Sequence, residues 1–227
     1  MRHSTRTIAA RRGVMAAQLE LVQGAPLDLE ARPARGDHDV IARMVSDGAK
    51  VLDVGCGDGG LIQLLTRECK ARARGLERDK AAVRGCVVRG LSVVQGDAES
   101  DLAEFPSGGF DFVVFSHTLT HLAQPRDALR QAGRIGERVI VSVRNAAYMR
   151  TRYRLALSGR TPATQTWADG ELERRCSIRD FAELAREMRF NIETAIPLTN
   201  GRPGAPFAKT IWRANLFAEE AVFLLTP

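Results

Sequence analysis

A glycine-rich turn between an apolar run and an amphipathic segment is the feature that most constrains the fold of this chain. Lys50–Val54 is the apolar run, and Gly55, Gly57 and Gly59 follow at alternate positions. The apolar side chains after the turn have helical spacing: Leu61, Ile62, Leu64 and Leu65. Glycines at such a place let the backbone turn tightly and approach a ligand at the carboxyl end of a strand. The pattern predicts a strand, loop and helix that bind a nucleotide-like ligand.

Strands and helices then alternate along most of the chain. The apolar runs that predict further strands are residues 74–77, 91–95, 110–115, 138–143, 190–196 and 216–225, and helical spacing occurs at 39–45, 80–89, 127–134 and 178–188. Strands separated by helices of this length indicate right-handed crossovers and a parallel sheet. The end of the chain has a long turn at 200–206, which favours an antiparallel last strand. The predicted class is α/β, with a mostly parallel seven-stranded sheet and an antiparallel last strand.

Composition sets the broad class. A chain of 227 residues with 44% hydrophobic residues is suited to one globular domain. The net charge of +6 raises the question of nucleic acid, but only four of the 33 basic residues are lysines and the arginines are scattered. The excess of arginine over lysine is typical of a GC-rich genome, and scattered arginines form no basic stripe, so we do not expect nucleic-acid binding. No apolar run approaches the roughly 18 residues that a membrane helix needs.

Cysteine and histidine spacing gives no metal or redox site. The four cysteines include no CxxC pair, which favours reduced thiols and a cytoplasmic location. Cys56 stands in the glycine turn, where a small residue is needed and burial accounts for it. The histidines at positions 3, 38, 117 and 121 lack a carboxylate at ligand spacing, so we predict no metal.

The two ends of the chain differ in organisation. Residues 1–36 are interrupted by prolines and begin with a basic, acid-poor stretch, so we expect a poorly ordered arm, although a transit peptide has a similar composition. Residues 37–227 then form the domain. An insertion rich in arginine and aromatic residues interrupts its alternation at about 144–176. Its side chains are of the types enriched at interface cores, but packing as a lid over a ligand explains them equally well.

The turn resembles the first motif of the class I S-adenosylmethionine-dependent methyltransferases, which have a Rossmann-like fold. Asp53 precedes the glycines, Glu77 ends the second strand, and Asp97 ends the third. The resemblance implies that Asp53 lies near the ammonium and sulfonium of S-adenosylmethionine or S-adenosylhomocysteine. It further implies that Glu77 accepts hydrogen bonds from the ribose hydroxyls and that Asp97 lies near the adenine amino group. The expected binding residues are Asp53, Gly55, Cys56, Gly57, Gly59, Glu77, Arg78, Asp97, Ala98 and Ser116.

No catalytic residue can be assigned from the sequence. His117 and His121 follow the fourth strand and could share one helix face, where a histidine near the methyl donor could act as a general base. Packing behind the loop is the competing interpretation. The Asn-Pro-Pro-Tyr type of signature is missing after this strand, which disfavours methylation of amino groups on nucleic-acid bases or glutamine.

A narrower resemblance is to the MetW family of methionine biosynthesis. It is carried by residues 36–45 running into the glycine turn, by 75–77, 89–93, 110–114 and 138–142, and by 215–219 near the end. Two segments depart from the family. Residues 144–150 replace its Pro-Asn-Phe-Gly-His-Trp-Arg, and residues 170–176 lack its histidine-containing Thr-Pro-Asn-x-His segment.

This resemblance implies a supporting role rather than transmethylation. It implies that the chain is an accessory partner of a homoserine O-acyltransferase, acetyl- or succinyl-transferring, and ligand occupancy could then regulate the partnership. An active methyltransferase acting on a small molecule is the alternative, and an RNA methyltransferase is ranked last.

Overall fold

A mixed eight-stranded sheet forms the centre of the protein. The computed structural model describes residues 35–159, 175–207 and 211–227. The strands are β1 (Lys50–Val54), β2 (Arg72–Glu77), β3 (Val93–Gln95), β4 (Phe110–Ser116), β5 (Gly136–Arg144), β6 (Asn191–Thr199), β7 (Arg202–Pro203) and β8 (Glu220–Thr226).

The strand order is β3-β2-β1-β4-β5-β8-β6-β7. Neighbouring strands from β1 to β5 pair in parallel, β8 is antiparallel to both β5 and β6, and β7 is antiparallel to β6. This confirms the predicted α/β Rossmann-like fold with an antiparallel last strand. The two-residue β7 lies inside the turn predicted for residues 200–206 and makes the sheet one strand wider than the seven predicted.

Helices cover both faces of the sheet. They are α1 (Gly36–Met44), α2 (Gly60–Glu68), α3 (Lys80–Val88), α4 (Pro125–Ile135), α5 (Met149–Ser158), α6 (Ile178–Glu187) and α7 (Ile211–Phe217), with short 3₁₀ segments at Asp101–Glu104 and Leu119–His121. Ser177 begins α6 with a capping box, since its hydroxyl accepts from the Asp180 N–H while the Asp180 carboxylate accepts from the Ser177 N–H.

The alternation of strand side chains divides the core in two. On one face Leu52 and Val54 of β1 join a cluster with residues of α4 and α6, and on the other face Val51 packs with residues of α1 and α2. The central strands are buried on both faces, which is why their sequences read as continuous apolar runs. Because β1 to β5 are parallel, their carboxyl ends lie at the same edge of the sheet.

The last apolar segment, predicted as one strand over 216–225, differs in the structure. Its first two residues complete α7, and β8 begins at Glu220. The intervening Glu219 donates its N–H to the Leu198 carbonyl, and its carboxylate accepts from the Asn200 N–H. These two hydrogen bonds hold Glu219 against β6 and the turn that follows it. They fix the point at which the chain leaves α7 and enters β8.

Some predictions fall partly outside the described residues. Of the predicted arm, only Arg35 and Gly36 are described, and Gly36 is the first residue of α1. Of the predicted insertion, residues 160–174 lie outside. Within residues 35–159, 175–207 and 211–227, no helix has the length and apolar character needed to cross a membrane.

Candidate ligand-binding cleft

The glycine turn is shaped by close contacts that a side chain would prevent. Gly55 has a φ of 74° and donates its N–H to the Leu76 carbonyl at 2.7 Å. A Cβ on Gly55 would lie 2.4 Å from Cγ2 of Thr118, so the loop closes against the segment after β4 only with glycine here. Gly57 has a φ of 54°, and a Cβ there would meet nothing within 4 Å. The backbone at Gly57 therefore borders open space that a ligand can approach.

Glu77 is tied to this turn. One carboxylate oxygen accepts from the Gly57 N–H at 2.8 Å, and the other accepts from the Asp79 N–H at 2.8 Å. Each oxygen keeps a second lone pair, so the carboxylate can still accept hydrogen bonds from a ligand. The interaction joins the end of β2 to the turn after β1.

A cleft of about 440 Å³ opens at the carboxyl ends of the strands. Its acidic end contains Glu77, Asp97 and Glu99, while Arg35 and Arg144 lie in its lining on the basic side. Asp97 is held in a turn because its carboxylate accepts from the Glu99 N–H at 2.9 Å. The acidic end can accept hydroxyl and amino groups, and the basic end can hold an anionic group.

A cluster of charged side chains forms the wall beside Ser116. His117 Nε2 lies 3.3 Å from Oδ2 of the buried Asp37 and 3.1 Å from Oε2 of Glu220. Arg35 donates to both carboxylate oxygens of Asp37, each at 3.1 Å. The hydroxyls of Ser116 and Ser142 also donate to Asp37 Oδ2, at 2.8 and 3.2 Å. The cluster joins the start of α1 to the ends of β4 and β5 and to the start of β8.

This environment shifts both titrating groups toward their charged forms. Burial by itself would raise the pKa of Asp37, but the hydrogen bond and charge of His117, with Arg35 and His38, lower it well below its ordinary value. Burial would lower the pKa of His117, but the hydrogen bonds to Asp37 and Glu220 raise it. The two carboxylates therefore favour the imidazolium form of His117, which disfavours a role as a general base.

The two histidines do not share a helix. His117 precedes the 3₁₀ segment Leu119–His121 and has a left-handed φ of 58°. His121 is exposed and lines the cleft. The structure therefore corrects the expectation of one common helix face, because His117 has a left-handed backbone outside the 3₁₀ segment and only His121 lies within it.

Asp53 lies beneath the turn and is 1% exposed. Its Oδ1 is buried and has no hydrogen-bond partner among the described residues. Burial raises the pKa of Asp53 to about 7, and the carboxylates of Asp37, Glu77 and Asp58 add to the rise while Arg35 opposes it. A buried carboxylate oxygen without a donor is costly, so Asp53 is suited to a positive charge placed above it.

Cys56 is also buried under the turn. Burial raises the pKa of its thiol far above the ordinary value, and the neighbouring Asp53 and Cys86 add to this effect. A thiol in this state is a poor nucleophile. Its sulfur occupies the place next to Gly75, where an added Cβ would lie 2.4 Å away. Cys56 therefore has a packing role, as the sequence predicted for a small residue at this position.

The predicted binding residues divide into two groups. Those that line the cleft are Gly55, Glu77, Arg78, Asp97, Ala98 and Ser116, together with both histidines. The other four do not line it: Asp53, Cys56 and Gly59 are buried, and Gly57 donates its N–H to Glu77. Sequence reasoning missed Arg35, Asp37, Thr118 and Arg144. Arg35 lies at the end of the predicted arm, and Asp37 lies in the segment 36–45 that carries the family resemblance.

A second cavity of about 620 Å³ lies at the other edge of the sheet. Its lining includes Lys50, Arg72 and Phe110, which are the first residues of β1, β2 and β4. It contains none of the predicted binding residues. We therefore place the candidate site in the smaller cleft, where parallel sheets of this topology bind their ligands.

Many protein families share this fold, and comparison with family models shows which of them this chain belongs to. The family described as methionine biosynthesis protein MetW matches residues 35–225, which is most of the chain. The chain belongs to the MetW family. The match begins at Arg35, the residue that holds Asp37, and so includes the charged cluster as well as the glycine turn.

Individual relatives of this MetW-family chain cover it less completely. A bifunctional methionine biosynthesis protein MetXA/MetW of Rhodopirellula baltica is 25% identical over 173 residues, which are 70% of this chain and 28% of that protein. A ubiquinone biosynthesis O-methyltransferase of Xanthomonas oryzae is 35% identical over 108 residues, which are 45% of this chain and 44% of that protein. The chain thus spans less than half the length of these relatives.

Solved structures share the fold of this MetW-family protein. A TehB-like S-adenosylmethionine-dependent methyltransferase of Corynebacterium glutamicum has a TM-score of 0.56 at 21% identity and covers 97% of this chain and 96% of its own. A possible histamine N-methyltransferase of Thermotoga maritima has a TM-score of 0.61 at 16% identity, covering 84% and 87%. At these identities the likeness concerns the fold alone.

Proposed function

We propose that this chain binds S-adenosylmethionine or S-adenosylhomocysteine and supports a homoserine O-acyltransferase as its accessory partner. The observation that carries the partnership is the R. baltica relative, in which MetXA and MetW are joined in one protein. We take the MetXA part to be the homoserine acyltransferase that the family resemblance implies. Two proteins joined in one relative often act together, since fusion keeps them at high effective concentration.

The geometry of the cleft supports the proposed ligand. Glu77 and Asp97 would receive the ribose hydroxyls and the adenine amino group. The buried Asp53, whose Oδ1 has no hydrogen-bond partner among the described residues, would lie beneath the cationic methionyl end. Arg35 lines the cleft at the basic end and would hold the methionyl carboxylate. The residues present therefore fit this ligand.

Co-purification and ligand binding test the two parts separately. The tagged chain and the homoserine O-acyltransferase of the same organism would be expressed together, and we expect them to elute as one complex at micromolar concentration. Thermal unfolding with S-adenosylhomocysteine should show a rise in melting temperature, because a ligand that binds only the native state stabilises it by mass action. Failure to form any complex would contradict the partnership. An unchanged melting temperature at about 1 mM S-adenosylhomocysteine would contradict binding of the proposed ligand.

Arg35→Ala should weaken S-adenosylhomocysteine binding by roughly tenfold or more, because it removes a charge-assisted hydrogen bond to a carboxylate. 5′-Methylthioadenosine lacks the amino-acid end and serves as the matched ligand. Its affinity should not change, and calorimetry measures both. Equal losses for the two ligands would show that Arg35 acts only through Asp37 and the shape of the cleft.

An active methyltransferase is the second candidate function. It is favoured by the likeness to the X. oryzae O-methyltransferase, at 35% identity over 108 residues. Against it, His117 lies between the carboxylates of Asp37 and Glu220, which favour its protonated form and so disfavour a role as a general base. Transfer of labelled methyl groups to small molecules of a cell extract would support this alternative over a purely accessory role.

A further inference from the structure

Helix α5 differs from every other helix that the structure describes. None of its ten residues is buried, whereas each of the other described α-helices buries at least one. Helices of soluble proteins obtain most of their stability by packing an apolar face against a core. A helix that presents all of its side chains to the surface therefore needs another explanation.

The apolar side chains of α5 form a regular row. Met149, Tyr153 and Leu157 follow one another at intervals of four residues, and their exposed fractions are 46%, 66% and 70%. Side chains four residues apart lie above one another on one face of a helix. We call these three residues the α5 stripe. A contiguous apolar surface of this kind on a soluble protein marks an interaction site.

Positive charge surrounds the stripe. Arg150, Arg152 and Arg154 lie on the same helix, which contains no acidic residue. Methionine, tyrosine and arginine are residue types enriched at the centres of protein interfaces. The complementary partner is a protein surface with an apolar groove and an acidic rim, because opposite potentials steer and orient association.

The start of α5 is anchored to the folded domain. Asn145 is buried, and its side-chain amide donates to the carbonyls of Asn215 and Ala218, both at 2.8 Å. Its side-chain oxygen accepts from the Ala147 N–H at 3.0 Å, and the Ala147 carbonyl accepts from Arg152 Nε at 2.6 Å. A helix held in this way loses little conformational freedom when a partner binds, and this favours affinity.

We infer that the α5 stripe is the docking surface for the homoserine O-acyltransferase, an inference that rests on the proposed function. The stripe supplies the apolar anchors and the three arginines supply the polar rim. The cleft and helix α5 are linked along the chain, since Arg144 lines the cleft and the next residue, Asn145, anchors the segment that leads into the helix. A complex formed here would lie beside the cleft.

The test compares binding of the acyltransferase to matched single variants. Tyr153→Asp and Leu157→Asp place a negative charge in the stripe, and we expect each to weaken the complex by tenfold or more, an order of magnitude typical of a central interface residue. Val88→Asp is the control, because Val88 is an apolar residue that is 87% exposed and lies outside the cleft lining. Like Leu157, it lies at the carboxyl end of a helix. It should bind as the unmodified chain does. Circular dichroism and S-adenosylhomocysteine affinity should be unchanged in all three.

Each result has a distinct meaning. If folded Tyr153→Asp and Leu157→Asp bind the acyltransferase as tightly as the unmodified chain, the stripe is not the docking surface, while the proposed partnership stands. If the unmodified chain forms no complex, the partnership itself fails and the inference fails with it. Analytical ultracentrifugation of the chain alone provides the third arm. A dimer that Tyr153→Asp dissociates would assign the stripe to a second copy of this chain and overturn the inference.

Discussion

Asp53→Asn is expected to stabilise the ligand-free protein at neutral and higher pH and to weaken binding of S-adenosylhomocysteine. Burial raises the pKa of Asp53 from 3.8 to about 7. Such a carboxyl favours unfolding progressively as the pH rises from about 4 to about 7, because the unfolded chain ionises first, and the penalty is constant above that range. Asparagine removes the penalty. We expect a gain of about 2 kcal/mol at pH 8, less than the full shift implies because a buried amide also lacks partners.

Thermal unfolding at pH 5 and pH 8 measures this effect, with the exposed Asp47→Asn as the control substitution. The gain of Asp53→Asn should be much smaller at pH 5. Equal melting temperatures of the unmodified chain and the variant at both pH values would show that burial does not raise the pKa of Asp53.

Ligand binding provides a second test of the raised pKa of Asp53. A cationic methionyl group above Asp53 favours the carboxylate, so binding near pH 6 to 7 should release a proton. Calorimetry in buffers of different ionisation enthalpy measures that proton. Asp53→Asn should abolish the release and weaken the affinity by roughly tenfold, since it removes a charge from the site.

His117→Asn is expected to destabilise the fold by about 2–4 kcal/mol, because it removes one partner from a buried ion pair and leaves the Asp37 charge less compensated. Asparagine is chosen because it tolerates the left-handed backbone at this position, so the change tests the imidazolium rather than the φ of 58°. Denaturant unfolding measures the difference. His121→Ala is the control, since His121 is exposed, and it should change stability by less than about 0.5 kcal/mol.

The pH dependence of this loss follows from the two pKa shifts. The pKa of His117 is raised, so its contribution is fully present below the ordinary value of 6.5 and is lost as the pH rises through the folded value. The pKa of Asp37 is lowered, so its contribution is present above 3.8 and is lost as the pH falls toward the folded value. The cost of His117→Asn should therefore be largest between these limits and smaller at alkaline pH. A cost independent of pH would show that the ring acts only by packing.

The strand and helix pattern was predictable because it depends on local spacing. Buried central strands such as β1 and β4 require continuous apolar residues, and the capping box at Ser177 is visible in four consecutive residues. The two-residue β7 was not predictable in this way, since it exists only where a turn folds back against β6. The division of 216–225 into α7 and β8 likewise depends on contacts that Glu219 makes with distant residues.

The acids and glycines of the cleft were also found from local sequence, because Gly55, Glu77 and Asp97 each lie at or just after the end of a strand. The spatial role of each needed the fold. Asp53 was expected at the ligand, and the structure buries it beneath the turn with an unpartnered oxygen. Whether a carboxyl is buried depends on everything that packs over it, and this cannot be read from its own segment.

The charged cluster beside Ser116 shows the limit most clearly. Asp37 and His117 are 80 positions apart in the chain, and Glu220 is still further along, so no local pattern relates them. Only the pairing of β4 with β5 and of β5 with β8, with α1 packed alongside, brings them within hydrogen-bond distance. By itself the sequence determined the fold class, the glycine turn and the family, because these depend on residue types at fixed short spacings. Tertiary structure alone decided the direction in which the pKa of His117 shifts and the exposure of the α5 stripe, because both depend on which distant groups lie within a few ångströms.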